Sequence, residues 1–179
     1  MNTGNAASTT QQPHITETFV QKILAHLDNT DINKLNDFLS LFKPGGASKI
    51  IFNSQPFNDP MVFLTMWQQQ VVTTQHSLTS IDYHVIPGSG TLICNVNAKV
   101  RFDESGRDKA GQDSIIRDNT TMTTSNNQSN RRNLWGPYFG ISLQLIIDDR
   151  IYRNDFNGVI GCFNYNMVYK PEDTLIKIN

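Results

Sequence analysis

The chain begins with two segments whose apolar residues recur at helical spacing. Phe19, Ile23 and Leu27 are four residues apart, which predicts a short amphipathic helix. A second helix is predicted to begin near Asp31, a good N-terminal capping residue, and to end before Pro44. Its apolar residues are Leu35, Phe38, Leu39 and Phe42. We expect these two helices to form a hairpin.

A short strand and a third helix are predicted next. Residues 49–52 are mostly apolar and predict the strand. Asp59 and Pro60 supply a capping carboxylate and a first-turn proline for a helix over residues 61–72. Its apolar stripe consists of Phe63, Met66, Trp67 and Val71. A stripe of this kind is typical of a helix that packs on a protein core.

From residue 75 onward the apolar positions alternate with a period of two, which indicates strands. Four strands are predicted, close to residues 81–85, 91–102, 138–148 and 163–169. Asp148 and Asp149 predict a tight hairpin turn. The fold class is therefore α+β, with a curved, cone-like antiparallel sheet packed on three helices.

Two segments of the chain are polar and show neither the helical nor the strand spacing of apolar residues. Residues 103–133 are rich in Asn, Thr, Ser and Asp and predict a long mobile loop between two strands. Residues 1–14 are polar and predict a disordered tail. The 179-residue length suits one domain, over residues 15–179.

The two faces of the predicted sheet differ in composition. One face is apolar and is expected to pack on the helices. The other face carries Ile93, Asn95, Asn97, Ser142, Gln144, Ile146, Asn164, Asn166 and Val168. A solvated sheet face usually carries Lys and Glu, so this uncharged face favours an interface with another protein, of the order of 1,600 Å² or more. The alternative is an ordinary exposed face in an Asn-rich chain.

Charge and hydrophobicity narrow the classes of partner. The formal net charge is -1 and the pI is near 6.4, which argues against a chain that binds phosphate backbones through its overall charge. The longest apolar runs are much shorter than a bilayer-spanning segment, and the N-terminus lacks the pattern of a signal peptide. We expect an intracellular protein without a membrane partner.

No pattern in the sequence predicts catalytic, cofactor or metal chemistry. Phosphate loops, metal-ligand spacings and nucleophile motifs are not found. Cys94 and Cys162 lie in strand-like runs and are expected to be buried thiols. Asp82 and His84 are the remaining acid–base candidates, but their register directs them away from the interior. We expect an apolar, filled interior, which contains Leu92, Val96, Phe139, Leu143, Phe163 and Met167.

Several longer runs of sequence identify a family resemblance. They are residues 22–27, 82–84, 86–97, 100–109, 134–150 and 164–173. In these runs the chain resembles the fungal mRNA transport regulators, which have the nuclear transport factor two-like fold. The resemblance implies the small, non-enzymatic subunit of a heterodimeric mRNA export receptor, whose sheet packs on a similar domain of the large subunit. It also implies binding to phenylalanine-glycine repeats of nucleoporins, export of pre-ribosomal particles, and shuttling between nucleus, nuclear pore and cytoplasm.

The long loop is the second candidate contact site. Its ends carry Glu104, Arg107, Asp108, Lys109, Arg131 and Arg132, which are expected to contact cargo. Five basic and five acidic residues occur between positions 103 and 133, so contacts with RNA phosphates would be local. A solvated loop without a partner is the alternative. Tyr138 and Tyr152 are candidates for repeat binding, and a role in the core or in an interface is the alternative for each.

Two other functions are compatible with the same fold. One is a small-molecule isomerase or dehydratase, which would need an open, polar interior. The other is a homodimeric transport factor that carries a small GTPase. The filled interior disfavours the isomerase or dehydratase. The uncharged sheet face is the feature that binding of a partner domain would account for.

Overall fold

The computed structural model describes residues 14–105 and 133–178. The helices are α1 (Ile15–Leu27), α2 (Ile32–Asn36) and α3 (Pro60–Gln70), with 3₁₀ helices at Asp37–Leu41 and Asp149–Arg153. The strands are β1 (Lys49–Phe52), β2 (Gln55–Phe57), β3 (Thr74–Ile86), β4 (Thr91–Phe102), β5 (Phe139–Asp148) and β6 (Ile160–Tyr169).

Side-chain caps fix the starts of the helices. Asp59 accepts a hydrogen bond from the Met61 backbone N–H at 2.8 Å, and Asp31 accepts one from Asn33 at 3.0 Å. These caps satisfy backbone donors that have no partner inside the helix. The predicted starts of the second and third helices are therefore confirmed.

The second predicted helix is shorter and tighter than the sequence suggests. Its α-helical part ends at Asn36, and a 3₁₀ helix continues to Leu41. Ser40 donates its hydroxyl to the Asp37 carbonyl oxygen at 2.6 Å. Asn, Asp and Ser compete for backbone hydrogen bonds in this way and weaken a regular α-helix.

The six strands form one mixed sheet in the order β2-β1-β6-β5-β4-β3. Four of the five pairings are antiparallel, as predicted, but β1 runs parallel to β6. Strand β2 was not predicted. It forms because Asn53 and Ser54 adopt positive φ angles of 47° and 66°, the conformation of a two-residue hairpin turn.

The predicted hairpin turn at Asp148 and Asp149 is wrong. β5 ends at Asp148, whose carboxylate caps the following 3₁₀ helix by accepting from the Arg150 backbone N–H at 3.0 Å. Asn154 then ends that helix in a left-handed conformation with φ 58°. An aspartate at a helix start and one in a turn look alike in sequence, since both hydrogen-bond the backbone nearby.

The helices pack on one face of the sheet around an aromatic core. Ring centroids of Phe38 and Phe163 lie 5.6 Å apart, and those of Trp67 and Phe102 lie 6.3 Å apart. The predicted interior residues are buried, except Met167, which packs at the edge of the core half-buried. An α+β fold with a sheet on helices is thus confirmed, and no helix of the described residues covers the opposite face of the sheet.

Candidate functional site

The sheet face opposite the helices is the candidate site, and we call it the open face. It contains the predicted residues Ile93, Asn95, Asn97, Ser142, Gln144, Ile146, Asn164, Asn166 and Val168. Cross-strand pairing arranges them in the rows Ile93–Ile146–Cys162, Asn95–Gln144–Asn164 and Asn97–Ser142–Asn166. Val168 lies at a bulge in β6, where it is 69% exposed. The structure therefore brings these residues together on one surface, with Cys162 added at its end.

Hydrogen bonds between amides hold the middle of the open face. Asn166 donates to the Asn164 side-chain oxygen at 2.7 Å, and Asn164 donates to Gln144 at 3.3 Å. The Asn166 side-chain oxygen also accepts from the Ser54 backbone N–H at 3.1 Å. The chain of amides spans two strands and a turn. It fixes polar groups in place without any charge, which lowers the ordering cost when another surface binds.

Asp82 and His84 lie on the open-face side of the edge strand β3, as their predicted register requires. Asp82 pairs across the sheet with Asn95 and His84 pairs with Ile93. Both side chains are exposed. Within residues 14–105 and 133–178, the structure records no hydrogen bond between them. They have neither the contact nor the enclosure that general acid–base catalysis requires.

The interior contains a chain of hydrogen-bonded polar side chains that no pattern in the sequence predicted. Nδ1 of His76 lies 2.5 Å from the Asp28 carboxylate, and Nε2 lies 2.8 Å from the Tyr165 hydroxyl. Thr74 donates its hydroxyl to the same carboxylate at 2.7 Å. The expectation of a wholly apolar interior is therefore wrong, because the fully buried His76 side chain lies there, bound to the partly exposed Asp28 carboxylate at its edge.

Aromatic rings enclose this interior chain. The His76 ring lies 6.3 Å from the Trp67 ring, and the Tyr165 ring lies 5.5 Å from the Phe52 ring. Burial, with a smaller effect of the Asp28 charge, raises the pKa of Tyr165 well above its ordinary value. The phenol therefore stays protonated and serves as a hydrogen-bond partner. The packed rings leave the chain a structural role that ties the end of α1 to the sheet.

The long loop begins and ends at a hydrogen-bonded neck. The buried Asp103 carboxylate accepts from the Leu134 backbone N–H at 3.1 Å and from Ser105. Glu104 was predicted to contact cargo, but its Oε1 accepts from the Thr174 hydroxyl and the Leu175 N–H, both at 3.1 Å. That carboxylate oxygen is therefore engaged within the chain, where it holds the C-terminal segment. The other predicted loop contacts, Arg107, Asp108, Lys109, Arg131 and Arg132, lie outside the described residues.

A group of basic and aromatic residues adjoins this neck at one end of the open face. The Arg101 guanidinium carbon is 5.0 Å from the Trp135 ring centre and 5.2 Å from that of Tyr138. Lys99 Nζ is 4.9 Å from the Tyr138 ring centre. We call these four residues the basic–aromatic cluster. Its cations continue the alternation of Asn95 and Asn97 along β4, and this alternation is the sequence signal that places them on the open face.

Both cysteines are free thiols, and the predicted burial holds in full only for Cys94. Cys94 is fully buried, and this burial raises its pKa to about 12. Cys162 is half-buried at the edge of the open face, where burial raises its pKa and the nearby Lys49 charge opposes that shift.

Among the described residues, no group of three or more His, Cys, Asp or Glu side chains is arranged for a metal ion. None of the described helices is long and apolar enough to cross a membrane.

Comparison of structures identifies the class of fold. A nuclear transport factor 2-like protein of Salmonella enterica matches with a TM-score of 0.54 at 10% identity, over 87% of this chain and 92% of that one. At this identity the match shows the fold alone. The chain thus has the nuclear transport factor 2-like fold, with a filled interior and an open sheet face.

Comparison of sequences identifies the family. The family model described as nuclear pore RNA shuttling protein Mtr2 matches residues 9–178. The mRNA transport regulator MTR2 of Saccharomyces cerevisiae is 66% identical over 171 residues, which cover 93% of this chain and 92% of that protein. The chain belongs to the Mtr2 family. The family is described as RNA shuttling proteins of the nuclear pore. This description agrees with the prediction that the chain is not an enzyme.

A solved complex that contains a member of the same family matches most of this chain. In the complex of Candida albicans Mtr2 with the Mex67 M domain, the matching chain has a TM-score of 0.67 and 30% identity. The match covers 89% of this chain and 98% of that one. The resemblance to fungal mRNA transport regulators is therefore confirmed.

Proposed function

We propose that this chain is the small, non-catalytic subunit of a nuclear mRNA export receptor and that its open face binds a domain of the large subunit. The observation that carries the proposal is the composition of that face. It is partly exposed and has no charged residue among its nine predicted positions, whereas a sheet face left in water normally carries charges. The solved complex of a Candida albicans relative with a Mex67 domain supports it.

The open face has the physical properties of a stable interface. Ile146 and Val168 offer exposed apolar area at its two ends, and the amide chain through Gln144 offers donors and acceptors between them. An interface of about 1,600 Å² with satisfied polar groups is sufficient for a stable complex. Pairing would shield the sheet of both subunits from water, so we propose that the chain completes and stabilises the partner domain.

A charge at the centre of the open face tests this proposal. Gln144→Lys would place an ammonium group inside the interface, and an unpaired buried charge costs about 3–5 kcal/mol. We expect binding to the Mex67 M domain to weaken at least about a hundredfold. The matched control is Gln69→Lys, on the exposed side of α3. Equal affinity of the two variants, measured by calorimetry, would refute the proposed interface.

Passage through the pore requires a second, weaker kind of contact. We propose that the chain contributes to binding phenylalanine-glycine repeats of nucleoporins, with exposed Tyr138 and Tyr152 as candidate sites. A cleft of about 980 Å³ is a further candidate. Its lining includes Leu39, Phe42, Pro44, Pro60 and Met61. A shallow apolar site of this kind accepts a phenyl ring while ordering little of the repeat, which keeps exchange fast.

The long loop is the candidate site for contact with the cargo. We propose that Arg107, Lys109, Arg131 and Arg132, with Asp108 between the first two, touch mRNA or a pre-ribosomal particle locally. Glu104 is left out of this set because it holds the C-terminal segment. The resulting receptor would act in the nucleus and at the nuclear pore and shuttle to the cytoplasm. Deletion of the loop should weaken cargo binding while leaving the heterodimer intact.

A further inference from the structure

We propose that the basic–aromatic cluster binds an acidic side chain of the large subunit and thereby sets the orientation in which the two subunits pair. The inference rests on the proposed heterodimer. Lys99 and Arg101 continue the open face along β4, two and four residues beyond Asn97. A partner domain seated on the open face would therefore reach the cluster at the edge of the same surface.

The cations of the cluster are available for an acidic ligand. Within residues 14–105 and 133–178, no carboxylate lies within ion-pairing distance of Lys99 or Arg101. The Arg101 Nε–H donates to the Gln75 side-chain oxygen at 2.7 Å. A guanidinium has five N–H donors, so this bond orients the group and leaves its terminal amines for another acceptor.

The aromatic rings prepare Arg101 for a bidentate contact. Trp135 and Tyr138 restrict the guanidinium plane, and Gln75 fixes its Nε edge. A carboxylate that binds the two terminal amines then has to order few further torsions. Lys99, on the same Tyr138 ring, places a second positive charge beside that site.

The surroundings of the cluster favour a carboxylate next to an apolar side chain. Tyr138, whose ring contacts both cations, is 39% exposed, so apolar area borders the cations. When a partner covers this area and removes water, screening falls and the charge interaction strengthens. The ligand that fits is an aspartate or glutamate flanked by an apolar residue.

A protein ligand fits the cluster better than a nucleic acid does. Single-stranded nucleic acids bind to free aromatic faces and to many positive charges. In the cluster, the rings of Trp135 and Tyr138 already contact cations, and the nine predicted positions of the adjoining open face carry no charge. Both features suit the rim of a protein interface.

The test compares single substitutions in the affinity of the full chain for the Mex67 M domain. Arg101→Glu should weaken binding at least about tenfold, because it places two carboxylates together. Arg101→Lys, which keeps the charge but loses the planar fork, should have a smaller effect. The control is Arg153→Glu on an exposed 3₁₀ helix, which should stay within about twofold. The deficit of Arg101→Glu should shrink at high salt.

The outcomes separate this inference from the proposed interface. If Gln144→Lys abolishes pairing while Arg101→Glu binds like Arg153→Glu, the interface stands and the inference is overturned. If neither Gln144→Lys nor Arg101→Glu weakens pairing, the proposed interface itself fails. If Arg101→Glu pairs normally but loses affinity for an oligouridylate, the cluster is a nucleic-acid contact and the inference is again overturned.

Discussion

Removing the hydroxyl of Tyr165 tests the interior polar chain with almost no change in shape. In Tyr165→Phe, Nε2 of His76 loses its partner at 2.8 Å. The His76 side chain is 0% exposed, so water cannot take the place of the hydroxyl. A buried polar group left without a partner costs about 1–3 kcal/mol. We expect the free energy of unfolding to fall by that amount.

Urea unfolding of the isolated chain measures this loss. In a parallel thermal unfolding experiment, the melting temperature should fall by about 2–4 °C for each kcal/mol of lost stability. The matched control is Tyr169→Phe in the same strand, where the side chain is 62% exposed and the change should stay within about 0.5 kcal/mol. If both variants unfold at the same urea concentration, the Tyr165 hydroxyl does not stabilise the interior and the reasoning is refuted.

Two further predictions concern the loop neck and a buried thiol. A methyl group on Gly136 would meet the Glu104 carboxylate and displace it from Leu175, so Gly136→Ala and Glu104→Ala should each cost about 1–3 kcal/mol in urea unfolding. The double variant should cost no more than the larger single loss, and full additivity would contradict the shared mechanism. Burial raises the pKa of Cys94 from 9.0 to about 12, so only the unfolded thiol ionises between these values and stability falls as pH rises through that window. Cys94→Ala should flatten this fall, and an unchanged slope of unfolding free energy against pH would contradict the assignment.

The open face was predictable because a strand has a strict period of two. Once Leu92 and Val96 are assigned to the core, Asn95 and Asn97 must lie on the opposite face. Helix α3 was predictable for a local reason as well, since Asp59 and Pro60 are side by side in sequence and act within one turn. In both cases the decisive interactions lie within a few residues of each other.

The interior chain of polar side chains could not be predicted because a β-bulge in β3 breaks the alternation of core and open-face positions. The register of β3 shifts between Leu78 and Ser80, so residues before and after the shift have opposite parity. Alternation extended backward from Ile81 places His76 on the open face, whereas the shift turns it into the core. Its partner Asp28 lies 48 residues away in the chain, and no local pattern joins the two.

Only the basic residues of the basic–aromatic cluster could be placed on the open face from the sequence. The alternation along β4 indicates that Lys99 and Arg101 share the open face with Asn97. Trp135 and Tyr138 follow the long loop, and only the pairing of Asp103 with Trp135 brings their rings beside the cations. Contacts across a loop of this length depend on the folded sheet and leave no periodic trace in sequence.

The central claim is that a partner domain covers the open face, and the rate of Cys162 alkylation measures this in the unaltered chain. Cys162 pairs with Ile146 at the end of that face, and the fully buried Cys94 provides an internal reference. With the Mex67 M domain at about ten times its dissociation constant, Cys162 should react about tenfold more slowly. An unchanged rate in a complex that is demonstrably formed would show that the partner binds elsewhere and would contradict the account.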